Sequence, residues 1–441
     1  MFYLDRNTEL TTELLNKMIS RFSIEVEPKL TKYKNYYDGL QAILSKSYTD
    51  TSKPCSKTVI NYCKNITDSY CGYLAAPNFI SYKSEQDIEA IMDILRYNDY
   101  QSADSQLLLN ALIYGTAVEL MYHDSAARTR FKLINPTQCF GIYDNTLSSD
   151  LMYFVRWYKA NEWDNTDTYF VDVYDDILVK HYTMQGVNGN LIFKGQEMHY
   201  FSQCPANIFN LPDEKSIFDC ILSLQDAANE VLNSEIDDYS AFCDAYLVLK
   251  GVDADSEDIA TMKENRVLLI PESAEANWLT KAANDTQVEN ILKRIHESIY
   301  RVAQCPDFSS ESFVGGVSSG IAIQYRLTGM EDRASIVCAE MKKALQRRIE
   351  LIAGIASLKL GEEVFRDIEI TFKRNIPEDT NSIISLVNSL KGSVSDGTLL
   401  AQIPFVTDVN KELEALQAQK QANLSLYSFA PATDEDEEET A

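Results

Sequence analysis

Apolar residues recur at helical spacing on both sides of one polar break in this chain. Val288, Leu292, Ile295, Ile299 and Val302 mark one face of a helix, and Cys305-Pro306 ends it because proline cannot continue a helix. Asp307 to Gly320 is rich in Ser and Gly, with Phe313 near its middle. A second stripe follows: Ile323, Leu327, Met330, Ala334, Val337, Met341 and Ala344, in alternating steps of four and three. Two helices on either side of a glycine–serine loop can hold that loop at a defined place, such as a channel wall.

The rest of the pattern falls into blocks. Helical periodicity predicts helix over 8–45, interrupted at Pro28 and ended by Gly39, and again over 57–75, 85–98 and 102–114, with Gly115 as a C-cap. The period then drops to two. Short runs rich in β-branched and aromatic residues (117–122, 131–134, 139–143, 151–158, 169–173, 177–182, 191–193 and 199–201) predict an antiparallel meander over about 116–211, with a hairpin turn at Val187-Asn-Gly-Asn190. Helix returns at 213–240, with Ile217, Ile221, Leu224, Ala228 and Val231 on one stripe. A small β-rich insert follows (246–250, 266–270, 277–280), and 367–374 alternates like an exposed strand. Residues 378–422 read as mainly helical with a break near 392–397, and the run Asp434-Glu-Asp-Glu-Glu-Glu439 belongs to an acidic tail expected to be disordered. The fold class expected is α+β.

Charge narrows the function. A net charge of −26 argues against holding nucleic acid by general attraction, since phosphate contacts need Lys and Arg. It leaves open a protein past which DNA slides without sticking. No apolar run is long enough to span a membrane and no signal peptide is visible, so no membrane role is expected and the chain is placed in a cytosol. Nine scattered cysteines without a CxxC spacing read as free thiols, and four histidines at 123, 181, 199 and 296 show no metal-ligand spacing.

Signature motifs of enzymes are missing. There is no GxxxxGKS/T, GxSxG, HExxH or GxGxxG, so neither a P-loop motor nor a cofactor is expected. Gly315-Gly316 with Ser318-Ser319-Gly320 is a weak phosphate cradle, lacking a close lysine. The 213–240 segment carries eight acids (Asp213, Glu214, Asp219, Asp226, Glu230, Glu235, Asp237, Asp238) against Lys215 alone. Asp237-Asp238 is its best candidate for a cation, but adjacent helix residues do not share a face, so a solvated or channel-facing side is the preferred reading. Arg326, Arg333, Lys342, Lys343, Arg347 and Arg348 make the long helix locally basic, either as a solvated face or as a surface meeting an acidic helix of a neighbour.

Several short segments, in order, resemble the portal proteins of tailed bacteriophages with long non-contractile tails. They are Tyr36-Tyr-Asp-Gly39, Asn61-Tyr-Cys-Lys-Asn-Ile-Thr-Asp68, Tyr73-Leu-Ala-Ala-Pro77, Tyr114-Gly-Thr-Ala117, Ile134-Asn-Pro136, Tyr246-Leu-Val-Leu-Lys-Gly251, Ser318-Ser-Gly-Ile-Ala322, Phe372-Lys-Arg-Asn-Ile-Pro377 and Leu390-Lys-Gly-Ser-Val-Ser395. The family often has glycine where Ala75 or Ala76 stands, a local departure. The resemblance covers about residues 30–420 and implies a homo-oligomeric ring of about twelve subunits at a capsid vertex of the virion, assembled in the host cytoplasm.

On this resemblance 1–212 would be a wing of helices and β-strands, 213–243 and 287–306 the stem helices, and 244–286 the clip. Residues 307–320 would be the tunnel loop, 321–376 the long helix with a returning wing strand, 377–430 the crown, and 431–441 the tail. Ser309, Ser310, Glu311, Ser312, Phe313, Val314, Gly315, Gly316, Val317 and Ser318 would then approach the DNA, and Asp226, Glu230, Glu235, Asp237 and Asp238 would give the channel a negative wall. The implied partners are the terminase large subunit, the head–tail adaptor, major capsid and scaffold proteins, and double-stranded DNA passing non-specifically; the chain itself would not be an enzyme. Two rivals make different predictions. Another ring-forming scaffold would show no translocation defect when the loop is altered. A metal-dependent hydrolase would lose cation binding on Asp237→Asn or Asp238→Asn.

Overall fold

The computed structural model describes residues 2–50, 53–76, 78–161, 163, 167–186, 189–243, 246–250, 275–279, 285–310, 320–355, 366–375, 380–400, 403, 406 and 409–427. It is an α+β protein. The described residues fall into two compact units, one within 1–316 and 324–375, the other within 317–323 and 376–441.

The first unit opens with β1 (Phe2–Leu4) and two helices, α1 (Thr12–Glu25) and α2 (Glu27–Asp38). Thr11 caps α1, its hydroxyl accepting from Leu14 N. The helical run is interrupted beside Pro28, as expected: α1 stops at Glu25 and a new helix begins at Glu27. Pro28 sits in the first turn of α2, where the missing N–H is an orphan in any case. Gly39 ends α2 at φ 84°, as anticipated. The next helix, α3 (Tyr62–Leu74), starts five residues later than the periodicity suggested, because the chain before it is extended and bound elsewhere. Helices α4 (Glu89–Tyr97) and α5 (Tyr100–Tyr114) follow. Gly115 caps α5 at φ 79°, and a Cβ there would lie 2.6 Å from the backbone of Glu214 and Lys215.

The strands form two sheets rather than one meander. β5 (Cys139–Asp144), β6 (Leu151–Lys159), β7 (Thr168–Tyr174), β8 (Leu178–Gln185) and β9 (Ile192–Met198) run antiparallel in sequence, with β1 added in parallel to β5. β3 (Thr116–His123) and β4 (Thr129–Ile134) pair separately with β10 (Ala206–Asn210), a strand the alternation did not mark. Residues 199–201, expected as a strand, pair with no sheet; His199 and Phe201 instead stack toward His123. Of the hairpin turn, Val187 and Asn188 lie outside the described residues.

One face of the larger sheet packs Ile142, Val155, Trp157, Val171 and Val173 against Leu15, Ile19 and Phe22 of α1. The other packs Phe154, Tyr174 and Val179 against Val118 and Leu120 of the smaller sheet. Both cores follow from period-two alternation over strands buried on each side.

After two short 3-10 turns come α6 (Leu222–Cys243), the strand pair β11 (Tyr246–Lys250) and β12 (Glu275–Leu279), and α7 (Asp285–Ala303). Cys220, in the turn just before α6, lies against the carbonyl of Val302 at the end of α7, so the two helices are antiparallel. The expected strand 266–270 lies outside the described residues. The long helix α8 (Gly320–Ala353) buries Leu327, Met330, Ala334, Val337, Met341 and Ala344 of the stripe read from the sequence, while Ile323 is half-buried. The chain then returns as β13 (Glu369–Phe372) to pair with β2 (Ile80–Lys83); β13 is not wholly exposed, since Ile368 and Ile370 point inward.

In the second unit α9 (Thr380–Leu390) is followed by a turn, with Gly392 at φ 87°, then α10 (Asp396–Leu400) and α11 (Val409–Tyr427). Gly397 of α10 faces Val409 and Leu413 of α11, where a Cβ would meet both at ordinary contact distance.

Candidate functional site

Helix α6 buries a polar row. Its fully buried side chains include Gln225, Asn229, Asn233 and Asp237, spaced four apart, while Leu224 and Val231 of the expected apolar stripe are only half-buried. This polar row binds the extended segment 56–62. Tyr62 N donates to Gln225 Oε1 (2.9 Å), Ile60 N to Asn229 Oδ1 (3.0 Å), Thr58 N to Asn233 Oδ1 (2.7 Å) and Ser56 N to Asp237 Oδ1 (2.6 Å). Gln225 and Asn233 also donate back, to the carbonyls of Ile60 (2.6 Å) and Thr58 (2.7 Å).

The match is geometric. One step of four along a helix rises about 6 Å, and two residues of extended chain span about 6.6 Å. The side chains of α6 thus serve the segment as a neighbouring strand would, which explains why 56–61 stays extended and α3 begins only at Tyr62.

The five acids proposed to face a channel do not share one environment. Asp237 is 7% exposed and is a correction to that expectation: its carboxylate is taken up by Ser56 N, by Tyr48 Oη (3.4 Å) and by Lys46 (3.6 Å). Burial pushes its pKa upward, but the bonds from Ser56 and the charge of Lys46 prevail and hold it below the usual carboxylate range. Asp226 is half-buried and accepts from Tyr36 Oη (2.7 Å). Glu235 is half-buried beside Leu292 and His296 of α7. Glu230 and Asp238 are exposed and lie on one side with Ser223 and Ser234; Glu230 also pairs with Lys46 (3.2 Å). Asp237 and Asp238 therefore do not converge on a cation. Among the described residues no group of three or more His, Cys, Asp or Glu is arranged to hold a metal.

The chain leaves α7 through a tightly bonded turn. Gln304 adopts φ 53°, and Tyr70 Oη donates to both the Ala303 (2.9 Å) and Gln304 (3.1 Å) carbonyls. His296 Nε2 meets Asp307 Oδ2 at 3.0 Å, and His296 Nδ1 meets Tyr62 Oη at 3.2 Å. The other oxygen of Asp307 accepts from Ser309 N (3.0 Å) and Ser309 Oγ (2.6 Å). Burial works against the Asp307 charge, yet Ser309 and His296 together keep its pKa below the usual range. Of the proposed loop residues, Ser309 and Ser310 are described, and Ser310 Oγ donates to the Asp307 carbonyl (2.8 Å). Glu311, Ser312, Phe313, Val314, Gly315, Gly316, Val317 and Ser318 lie outside the described residues.

The basic side chains of α8 do not form one solvated or neighbour-facing row. Arg333 donates to the carbonyls of Ile217 (2.7 Å) and Ala303 (3.2 Å). Arg347 bonds Gln203 and Glu350. Arg348 is wholly buried, bidentate to Glu119 (2.8 and 2.7 Å) and bonded to Asp104, with Phe131 under its guanidinium. Burial pushes the Asp104 carboxyl up to about 6 against the pull of Arg348. Asp104 Oδ2 and Tyr82 Oη are buried without a hydrogen-bond partner.

Sequence reasoning missed the binding row of α6 and read Arg333 and Arg348 only as part of a basic face, not as partners of other elements. The spacing of four in Gln225, Asn229, Asn233 and Asp237 was a usable signal: a polar row that regular needs a partner or water, and amides supply both donor and acceptor.

A family model described as phage portal protein, SPP1 Gp6-like, matches residues 23–425. The portal protein of Bacillus phage SPP1 is 21% identical over 419 residues, covering 89% of this chain and 82% of that protein.

Proposed function

This chain belongs to the SPP1 Gp6-like family of phage portal proteins, and from that premise we propose that about twelve copies close into a ring whose channel passes the genome. The observation that carries the reading is the antiparallel pair α6–α7, which bears the β11–β12 strands at one end and residues 304–310 at the other. In this reading α6 and α7 are the stem, the residues between them the clip, 307–320 the tunnel loop, and 377–430 the crown. The two-sheet region with α1–α5 is the wing.

Glu230 and Asp238, exposed on one side of α6, are the acids proposed to face the channel. Ser309 to Ser318 are proposed to approach the DNA. A negative wall repels the duplex evenly and avoids the counterion release that makes basic grooves grip. At physiological salt that field reaches only about 8 Å, so it acts on DNA close to the wall. Translocation needs ATP hydrolysis, which we assign to a docked terminase, the clip later receiving the head–tail adaptor. The ring would then retain the genome and release it to the tail at ejection.

Deleting 310–317 tests the reading. Electron microscopy with light scattering on the purified variant should show rings of unchanged size, while capsids assembled with it contain at least tenfold less DNA. Normal packaging would remove the loop from the mechanism. Loss of rings would make the segment an assembly element instead.

A further inference from the structure

The end of α7, the start of α6 and the long helix α8 meet at one guanidinium. Arg333 Nη2 donates to the Ile217 carbonyl at 2.7 Å, and Nη1 to the Ala303 carbonyl at 3.2 Å. Ala303 is the last residue of α7, where carbonyls lack intrahelical partners and a cation is favoured. Ile217 lies just before the turn into α6, and its own N–H donates to Leu112 of α5 (2.9 Å). The packing around this fork is tight: Ile217, Ile299, Ala303 and Tyr70 are all at most 2% exposed. Tyr70 lies under the guanidinium (5.9 Å) while its hydroxyl takes the Ala303 and Gln304 carbonyls.

The Arg333–Ala303 bond spans thirty positions of chain. It therefore closes the whole excursion between the end of α7 and the body of α8, which contains 307–320. The point where the chain leaves α7 is thus tied, through this side chain, to the body of α8 thirteen positions past its start. The second guanidinium nitrogen ties the same point to the entry of α6. Few other residues could do this, because a lysine ammonium is a single point and lacks the planar fork that reaches two carbonyls at once.

We propose that Arg333 is a positioning residue for passage through the ring, registering both stem helices against α8 and thereby fixing the base of the 307–320 segment. It touches no DNA. The proposal rests on the tunnel-loop reading of that segment, and its test separates the two.

The experiment compares Arg333→Met and Arg333→Lys with Tyr70→Phe, which keeps the ring of Tyr70 and removes only its hydroxyl. Rings purified from each are measured by light scattering and by hydrogen exchange, and capsids assembled with each are assayed for packaged DNA. Arg333→Met should form rings of the parental mass, exchange at least tenfold faster at 300–310 and 216–224 with 89–97 unchanged, and package at least tenfold less DNA. Arg333→Lys should recover part of both effects. Tyr70→Phe should speed exchange at 300–310 alone.

Unchanged exchange at 300–310 in Arg333→Met overturns the proposal whatever the packaging result. Faster exchange with normal packaging also overturns it, because passage would then not depend on that base. Should Arg333→Met fail to assemble, Arg333→Lys and Tyr70→Phe decide by the same two readouts. If deleting 310–317 leaves packaging normal, the tunnel-loop reading fails, while the exchange data still report whether Arg333 registers the helices.

Discussion

Along α8 the buried positions include the apolar stripe Leu327, Met330, Ala334, Val337 and Met341, whereas along α6 they include Gln225, Asn229, Asn233 and Asp237. The apolar face of α8 is held by burial, a force without direction that tolerates small shifts and repacking. The polar face of α6 is held by bonds from named donors to named acceptors, so helix and bound segment are fixed in register as well as in contact. Contacts of the second kind cost little while complete and a great deal when broken, since each orphaned backbone group is left buried. A helix proposed to line a channel under load is thus attached by its most orientation-sensitive chemistry. The apolar stripe of α8 is packed by the least.

Arg333 and Arg348 are places where α8 departs from that contrast, and breaking the buried Arg348 cluster should give the largest effect. The Arg348 guanidinium is the shared partner of Asp104 and Glu119, each at most 1% exposed. Arg348→Met removes the charge and leaves two buried carboxylates facing each other. We expect about 3–5 kcal/mol of lost stability by chemical denaturation. Adding Asp104→Leu and Glu119→Leu to the same chain should recover most of it, because an apolar triad of similar volume avoids the desolvation of three charges. A loss below about 1 kcal/mol in the single variant would mean that the cluster is already solvated.

The next test swaps side chains of similar size on the two helices. Asn233→Leu deletes the bonds to Thr58 N and Thr58 O and leaves both backbone groups without partners. The expected cost is about 2–4 kcal/mol. Met330→Leu on α8 keeps volume and apolarity and should cost under about 1.5 kcal/mol. Equal costs would show that the α6 face behaves as an ordinary core and that its amides are incidental.

The same difference explains what could be read from the chain beforehand. The stripe of α8 was legible because apolar residues at steps of three and four have one common meaning. Gln225, Asn229, Asn233 and Asp237 were illegible because the same spacing in polar residues ordinarily marks a solvated face, and their partner is a segment more than 160 positions away with no pattern of its own. Val59 and Ile60 made that segment look helical, and only the tertiary bonds from α6 keep it extended. β10 was missed for a related reason: Asn207 and Asn210 interrupt its alternation, and pairing with β3 overrides them. Glu230 and Asp238 could be named as candidates from charge alone, but their separation from Asp237 required knowing which side of α6 was occupied.

The smallest effect expected concerns pH and distinguishes the two polar clusters by sign. Asp104 is buried with Arg348, Glu119 and Tyr82 around it, and its carboxyl is raised from 3.8 to about 6. The folded state therefore binds this proton more tightly than the unfolded chain does. Stability from this group is fully present below about pH 4 and is lost as pH rises toward 6. Asp237 behaves oppositely: its carboxyl is depressed, so its contribution is lost as pH falls. The two slopes overlap in the wild-type chain and must be separated by difference. Asp104→Asn fixes the neutral form and leaves the α6 cluster intact. Relative to that variant, the wild-type chain should lose about 1–3 kcal/mol between pH 4 and pH 6 and run parallel to it above, measured by urea unfolding at each pH. A difference that is flat across this window would mean that Arg348 keeps Asp104 ionised throughout. The α8 cluster would then lose stability as pH falls, with the same sign as Asp237 in the α6 seam, and the pH contrast between the two helices would vanish.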